Sequence, residues 1–143
     1  MEVNSNLSKK ATEDFELAKA ATYALGNFDS AAASTALLAI VSEGKSTDVR
    51  KAALYAIGNL GSSDALAKLV EIATNANDAD LQKAAVYAIS NVGGGAASRS
   101  LTSLFASAKN NEVKKAIIHS IGNQGDAGAQ EFLVRVAKDD PDP

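Results

Sequence analysis

Between residues 49 and 60 the apolar positions are Val49, Ala52, Ala53, Ala56, Ile57 and Leu60. Steps of three and four place them on one face of a helix, which must pack against another element. At about 100° per residue, Lys51, Leu54, Tyr55 and Gly58 lie roughly 120° or more from the centre of that face, so the wheel sets them away from the core. After Gly61 a second apolar series runs through Leu69 and Ile72, which predicts a further helix. No segment alternates apolar and polar residues with period two, so no sheet is expected.

The pattern recurs without insertion or deletion. Steps of 32 residues from Lys51 reach Lys19, Lys83 and Lys115, which open the segments KAATYALGN, KAALYAIGN, KAAVYAISN and KAIIHSIGN. Three residues before each lysine stands an acid, Glu16, Asp48, Asp80 or Glu112, followed by Leu17, Val49, Leu81 or Val113. Downstream, Leu37, Leu69, Leu101 and Leu133 share a register, as do Ile40, Ile72, Leu104 and Val136. Self-similarity at a fixed period marks a repeat architecture.

Each unit reads as two helices. Asp14, Ser46, Asp78 and Asn110 stand where an N-cap side chain accepts a bond from a free amide of the first helix. The acid two places later falls in the first turn, where the helix dipole favours negative charge. Gly61, Gly93 and Gly125 are set to close the first helix, and Ser30, Ser62, Gly94 and Asp126 to open the second. Two short helices cannot bury their apolar faces alone, so neighbouring units must stack. The expected fold is all-α: a right-handed αα-superhelix, or solenoid, of four 32-residue helical hairpins with about eight helices. The chain forms one domain, with units at 14–45, 46–77, 78–109 and 110–141. The terminal DDPDP continues the capping register at Asp142 and places Pro143 at a first helical position. It reads as the opening of a fifth unit, and the chain is expected to be a fragment of a longer array. An end face lined by residues such as Phe132 and Val136 would then be open to pairing with another copy.

The pattern acid-aliphatic-x-Lys-Ala-Ala-x-x-Ala-Ile/Leu-Gly-x-x-Gly resembles the HEAT-like repeats of the phycobilisome-lyase type, across residues 12–139. The resemblance implies a scaffold that binds other proteins, with the helix carrying the lysine motif on the concave side. It also brings in phycobilin-lyase-like chromophore handling as a lesser reading. Metal-dependent hydroxylases similar to this family carry several His-Glu pairs, which this chain lacks.

Composition narrows the functions. With 46% hydrophobic and 22% charged residues the chain can bury a core. Seventeen acids against 14 basic residues, and a pI of 5.1, argue against general affinity for nucleic acid or an anionic membrane. No apolar run approaches the roughly 20 residues that cross a bilayer, and MEVNSNLSKK has no apolar centre of the signal-peptide kind. Without cysteine there is no disulfide, thiolate metal site or cysteine nucleophile. A lone histidine offers no metal site, and no serine and acid stand out as partners for catalysis. No catalytic residue, metal or cofactor is assigned, and the residues specify no compartment.

The candidate binding residues are those that the apolar face leaves outward. Stacking sets Lys19, Lys51, Lys83 and Lys115 beside Tyr23, Tyr55, Tyr87 and His119, with Arg50 next to the row. All three tyrosines and the single histidine share this register. Tyrosine offers a large contact area, few rotors and a polar tip, which suits recognition, but it can equally lie across a neighbouring helix. The lysines suggest an acidic segment as partner, yet each follows an acid at the spacing of a helical ion pair. Asn27, Asn59, Asn91 and Asn123 are expected to bond to the neighbouring unit or to helix-end carbonyls. Two functions follow: a non-enzymatic scaffold that holds a protein or peptide on the concave face, or a structural, self-associating spacer in a larger protein.

Overall fold

The computed structural model describes residues 2–28, 30–44, 46–61 and 63–139, except for the side chains of 2–8, 11–13 and 63. Eight α-helices and no strand occur among these residues: α1 (Glu2–Leu25), α2 (Ala31–Glu43), α3 (Thr47–Leu60), α4 (Ser63–Asn75), α5 (Ala79–Val92), α6 (Gly94–Ser107), α7 (Asn111–Gly122) and α8 (Ala127–Asp139). The chain is an all-helical repeat solenoid. The expected unit closing at 141 and the DDPDP tail end in residues outside the described ones, as does Ser62.

Local chemistry sets most of the helix ends. Ser30 accepts from the Ala33 amide at 3.1 Å, Ser46 from Val49 at 3.5 Å and Asp78 from Asp80 at 2.8 Å. Asn110 takes both Glu112 and Val113, at 2.8 and 3.3 Å. Gly61 sits at φ +68°, a conformation cheap only for glycine, and ends α3. Gly125, also at positive φ, turns the chain into α8 rather than capping α7, which ends at Gly122. Asp126 caps α8 through the Ala129 amide at 2.6 Å and receives the Ser98 hydroxyl at 2.6 Å. These two donors, Ser98 foremost, hold its carboxyl below the usual aspartate range. Asp14 does not cap a helix. It lies inside α1, which begins at Glu2, because nothing between residues 2 and 14 breaks a helix and Asp14 has no turn before it.

The helices form two layers of unequal tightness. The odd-numbered helices α1, α3, α5 and α7 stack side by side, most extensively α3 on α5. The even-numbered helices touch one another little; α2 and α4 pack chiefly on the odd-numbered helix that follows, and α6 packs on both of its odd-numbered neighbours. A core runs unbroken through both layers, with Leu37, Leu69 and Leu101 fully buried.

The wheel reading needs one correction. Leu54 and Gly58 are buried, not outward. A helix in a stack touches one odd-numbered neighbour on each side as well as the even-numbered layer, so its buried arc is wider than a single apolar stripe. A Cβ on Gly58 would lie 2.7 Å from the Ala88 carbonyl oxygen, and one on Gly26 would lie 2.9 Å from the Ala56 Cβ. Gly26, Gly58, Ser90 and Gly122 share the 32-residue register, as do Ala24, Ala56, Ala88 and Ser120. Each junction therefore sets the glycine position of one unit against the alanine position of the next. At the third junction both residues are serine. There Ser90 donates to the Ser120 carbonyl at 3.4 Å, and Gln124 donates to the Ser90 carbonyl, the Ser90 hydroxyl and the Ser120 carbonyl at 3.1–3.3 Å. The buried Ser120 hydroxyl has no hydrogen-bond partner, where the other units carry a methyl group.

Gly58→Ala should destabilise the fold by about 1–3 kcal/mol, because backbone must move to admit the methyl group. Gly122→Ala meets no atom nearer than Leu133 Cδ1 at 4.0 Å and should be neutral or stabilising by up to about 1 kcal/mol. Urea unfolding of the two variants measures the contrast; equal effects would contradict the close approach.

Candidate functional site

The outward strip of the odd-numbered layer is built from one position per turn. Asp48, Lys51, Tyr55 and Asn59 follow one another at steps of three and four along α3, and their equivalents keep that spacing in α5 and, with Asn27 and Asn123 just past the helix ends, in α1 and α7. Tyr23 and Tyr87 are 47% and 38% exposed, Tyr55 is half-buried between them, and His119 is exposed. The structure thus sets the three tyrosines side by side, with His119 next in register. Burial pushes the Tyr55 phenol above its ordinary value. Lys51 opposes that shift, while Tyr23 and Tyr87 add to it, so the three rings lie within electrostatic reach.

Every lysine of the row is paired on its own helix. The Nζ-to-carboxylate distances are 3.7 Å for Lys19–Glu16, 3.6 Å for Lys51–Asp48, 3.5 Å for Lys83–Asp80 and 3.2 Å for Lys115–Glu112. Such exposed pairs contribute only about 0.2–0.5 kcal/mol each. Their importance is to the field: the strip alternates in sign and has no net positive charge. Lys19 also lies 5.2 Å from the Phe15 ring centroid.

Arg50 stands apart from this row. Its Nε donates to the Val41 carbonyl at 2.7 Å, satisfying an orphan acceptor in the last turn of α2. Gln82, one unit on, makes the equivalent bond to Ala73 at 3.2 Å. Lys114 occupies the same register and lies 5.9 Å from the ring of Phe105, the counterpart of Val41 and Ala73. A long polar side chain at this position ties α2, α4 and α6 to the odd-numbered helix that follows each, and its recurrence as Arg, Gln and Lys was the available signal. The asparagine row differs from expectation. Asn27, Asn59, Asn91 and Asn123 are exposed, and no side-chain hydrogen bond is made by them among the described residues. Gln124 makes the inter-unit bonds expected of them.

On the opposite side, a groove of about 760 Å³ separates α6 from α8, lined in part by Ser98, Arg99, Asp126 and Arg135. Among the described residues, no group of three or more His, Asp or Glu side chains is placed to hold a metal ion, and no helix is long and apolar enough to cross a membrane.

Residues 5–90 match the profile of the HEAT repeats family, and the chain belongs to that family. HEAT repeats generally mediate protein interactions and typically act as non-enzymatic scaffolds. The match is to HEAT repeats at large and does not extend to the phycobilisome-lyase type. No curated protein matches the chain.

In an alkaline titration followed by phenolate absorbance, Tyr55→Phe should remove a component that ionises above the ordinary phenol value of about 10. Because the folded pKa is raised, any stability linked to this group is fully present below about pH 10 and is lost as the pH rises through the folded value. Removal of a component at the ordinary value instead would contradict the half-buried setting of Tyr55.

Proposed function

We propose that this HEAT-repeat chain is a non-enzymatic scaffold that holds an extended or helical segment of another protein along the outward strip of its odd-numbered helices. The observation that carries this reading is the recurrence of Tyr23, Tyr55 and Tyr87 at one position per unit, half-buried to half-exposed, on the more tightly stacked layer. In a solenoid the more closely spaced layer lies inside the curve, which supports reading this strip as the concave face, the surface such arrays use for binding. The rings offer apolar area that is already partly ordered by packing, so little rotamer freedom remains to be lost on binding. Lys51 and Lys83 lie between the rings and the acids, and His119 extends the polar edge.

The alternating charge sharpens the partner. A uniformly acidic segment would have to displace Glu16, Asp48, Asp80 and Glu112 from their lysines, and those carboxylates are themselves well exposed. A segment with apolar groups for the tyrosines and both signs of charge fits the strip better than the acidic one suggested by the lysines alone. Arg50, held by the Val41 carbonyl, serves the scaffold and not the partner on this reading. The exposed apolar residues at both ends of the stack favour a second role, as a self-associating spacer.

Peptides selected from a displayed library against the folded chain provide the test. Replacing Tyr23, Tyr55 and Tyr87 together by serine should weaken the selected peptides by at least about tenfold, as loss of hot-spot aromatics does, while the cooperative unfolding transition persists. Undiminished binding by the triple variant would overturn the assignment of the strip. Loss of the unfolding transition would show the tyrosines to be core residues and would count equally against it.

A further inference from the structure

The two ends of the stack expose surfaces that the repeat itself makes complementary. In α3, α5 and α7 the positions of Ala56, Ala88 and Ser120 are buried against the helix before; in α1 the same position, Ala24, is exposed, with Ala20 and Leu17 beside it. Leu17 is 67% exposed, while its counterparts Leu81 and Val113 are buried. At the other end, Gly122 occupies the position where Gly26 and Gly58 receive those alanines, yet it is exposed and has open space where a Cβ would be. Val134 of α8 is 46% exposed, and Leu133 is only half-buried although Leu37, Leu69 and Leu101 are fully buried. Ile121, Gly122, Leu133, Val134 and Ala137 line an open hollow of about 460 Å³ on this face.

The missing neighbours match in kind. The even-numbered helices α2 and α4 pack chiefly on the odd-numbered helix that follows, α6 packs on it as well as on the one before, and α8 has no such following partner among the described residues. The free side of α1 is likewise the side on which α3, α5 and α7 each meet both an odd- and an even-numbered helix. We propose that α1 of a second copy seats on the α7–α8 face, with its Ala24 against Gly122 and its Leu17 against Val134, continuing the 32-residue step from one chain into the next. This contact extends an interface that the chain already makes inside itself at Gly26–Ala56 and Gly58–Ala88. It joins unlike surfaces, so it is heterologous, and each copy adds in the same direction to build a filament or ring rather than a two-fold dimer. It uses neither the tyrosine strip nor the lysines, which stay open along the length of the assembly.

The heterologous geometry gives a decisive mixing experiment with the 143-residue chain. Sedimentation equilibrium of the unaltered protein should show a mass that rises with concentration above the 14.6 kDa monomer. Ala24→Glu blocks only the α1 face and Gly122→Arg blocks only the α7–α8 face. Each variant alone should remain monomeric and keep a cooperative unfolding transition, because both positions face solvent in the monomer. Mixed in equal amounts, the two should form a 1:1 dimer and nothing larger, since one free face of each kind remains. Leu17→Glu with Val134→Glu repeats the test at a second pair of exposed positions. A strict monomer at all concentrations would overturn the proposal, as on a face that instead accepts only a further unit of a longer chain. Self-pairing of either variant, which indicates like-with-like contact of one end, would also overturn it.

Discussion

The structure depends on a backbone contact between small residues. Where Gly58 faces Ala88, no room remains even for a methyl group, and the same holds where Gly26 faces Ala56. That approach brings the odd-numbered helices together along their length, and dispersion between closely packed backbones and the flanking Leu54 and Val86 holds them there. The even-numbered helices, which contribute Leu37, Leu69 and Leu101 to the core, touch one another far less and are spread further apart. Unequal spacing of two layers is what bends a stack of hairpins.

The outward row of side chains follows from that inequality. Because the odd-numbered helices lie close, residues 32 apart become neighbours, and Tyr23, Tyr55 and Tyr87, followed in register by His119, form one row. The same closeness, repeated at a fixed step, leaves the outer units with one buried side and one open side. The third junction shows how much variation the step tolerates. Ser90 and Ser120 cannot approach as glycine and alanine do, and hydrogen bonds through Gln124 and the Ser120 carbonyl take the place of the lost contact. The unpartnered Ser120 hydroxyl is the remaining cost there.

Much of this architecture was legible in the sequence, because its signals are local and recur. The caps at Ser46, Asp78 and Asn110 and the Lys–acid spacing depend on residues within one turn of one another, and the 32-residue period repeats them along the chain. What could not be read are the features that depend on a neighbour elsewhere in the chain. A helical wheel assumes one partner, so it sent Leu54 and Gly58 outward with Tyr55. Arg50 lay next to the lysine row in sequence, but its guanidinium is captured by the Val41 carbonyl of the preceding helix. The four asparagines recur as inter-unit links would, whereas the links that occur come from other residues, among them Gln124, in a register that reads Phe28, Leu60 and Val92 in the other units. For the candidate strip, the sequence identified the positions, and the packing showed which of them remain together at the surface.

Hydrogen exchange of the backbone amides tests most directly whether odd-numbered stacking holds the fold together. The most slowly exchanging amides should lie in α3 and α5, which share the tightest junction, and protection should fall through α7 and α2 toward α8 and the first half of α1. Uniform protection along the chain, or a maximum in α8, would contradict the account.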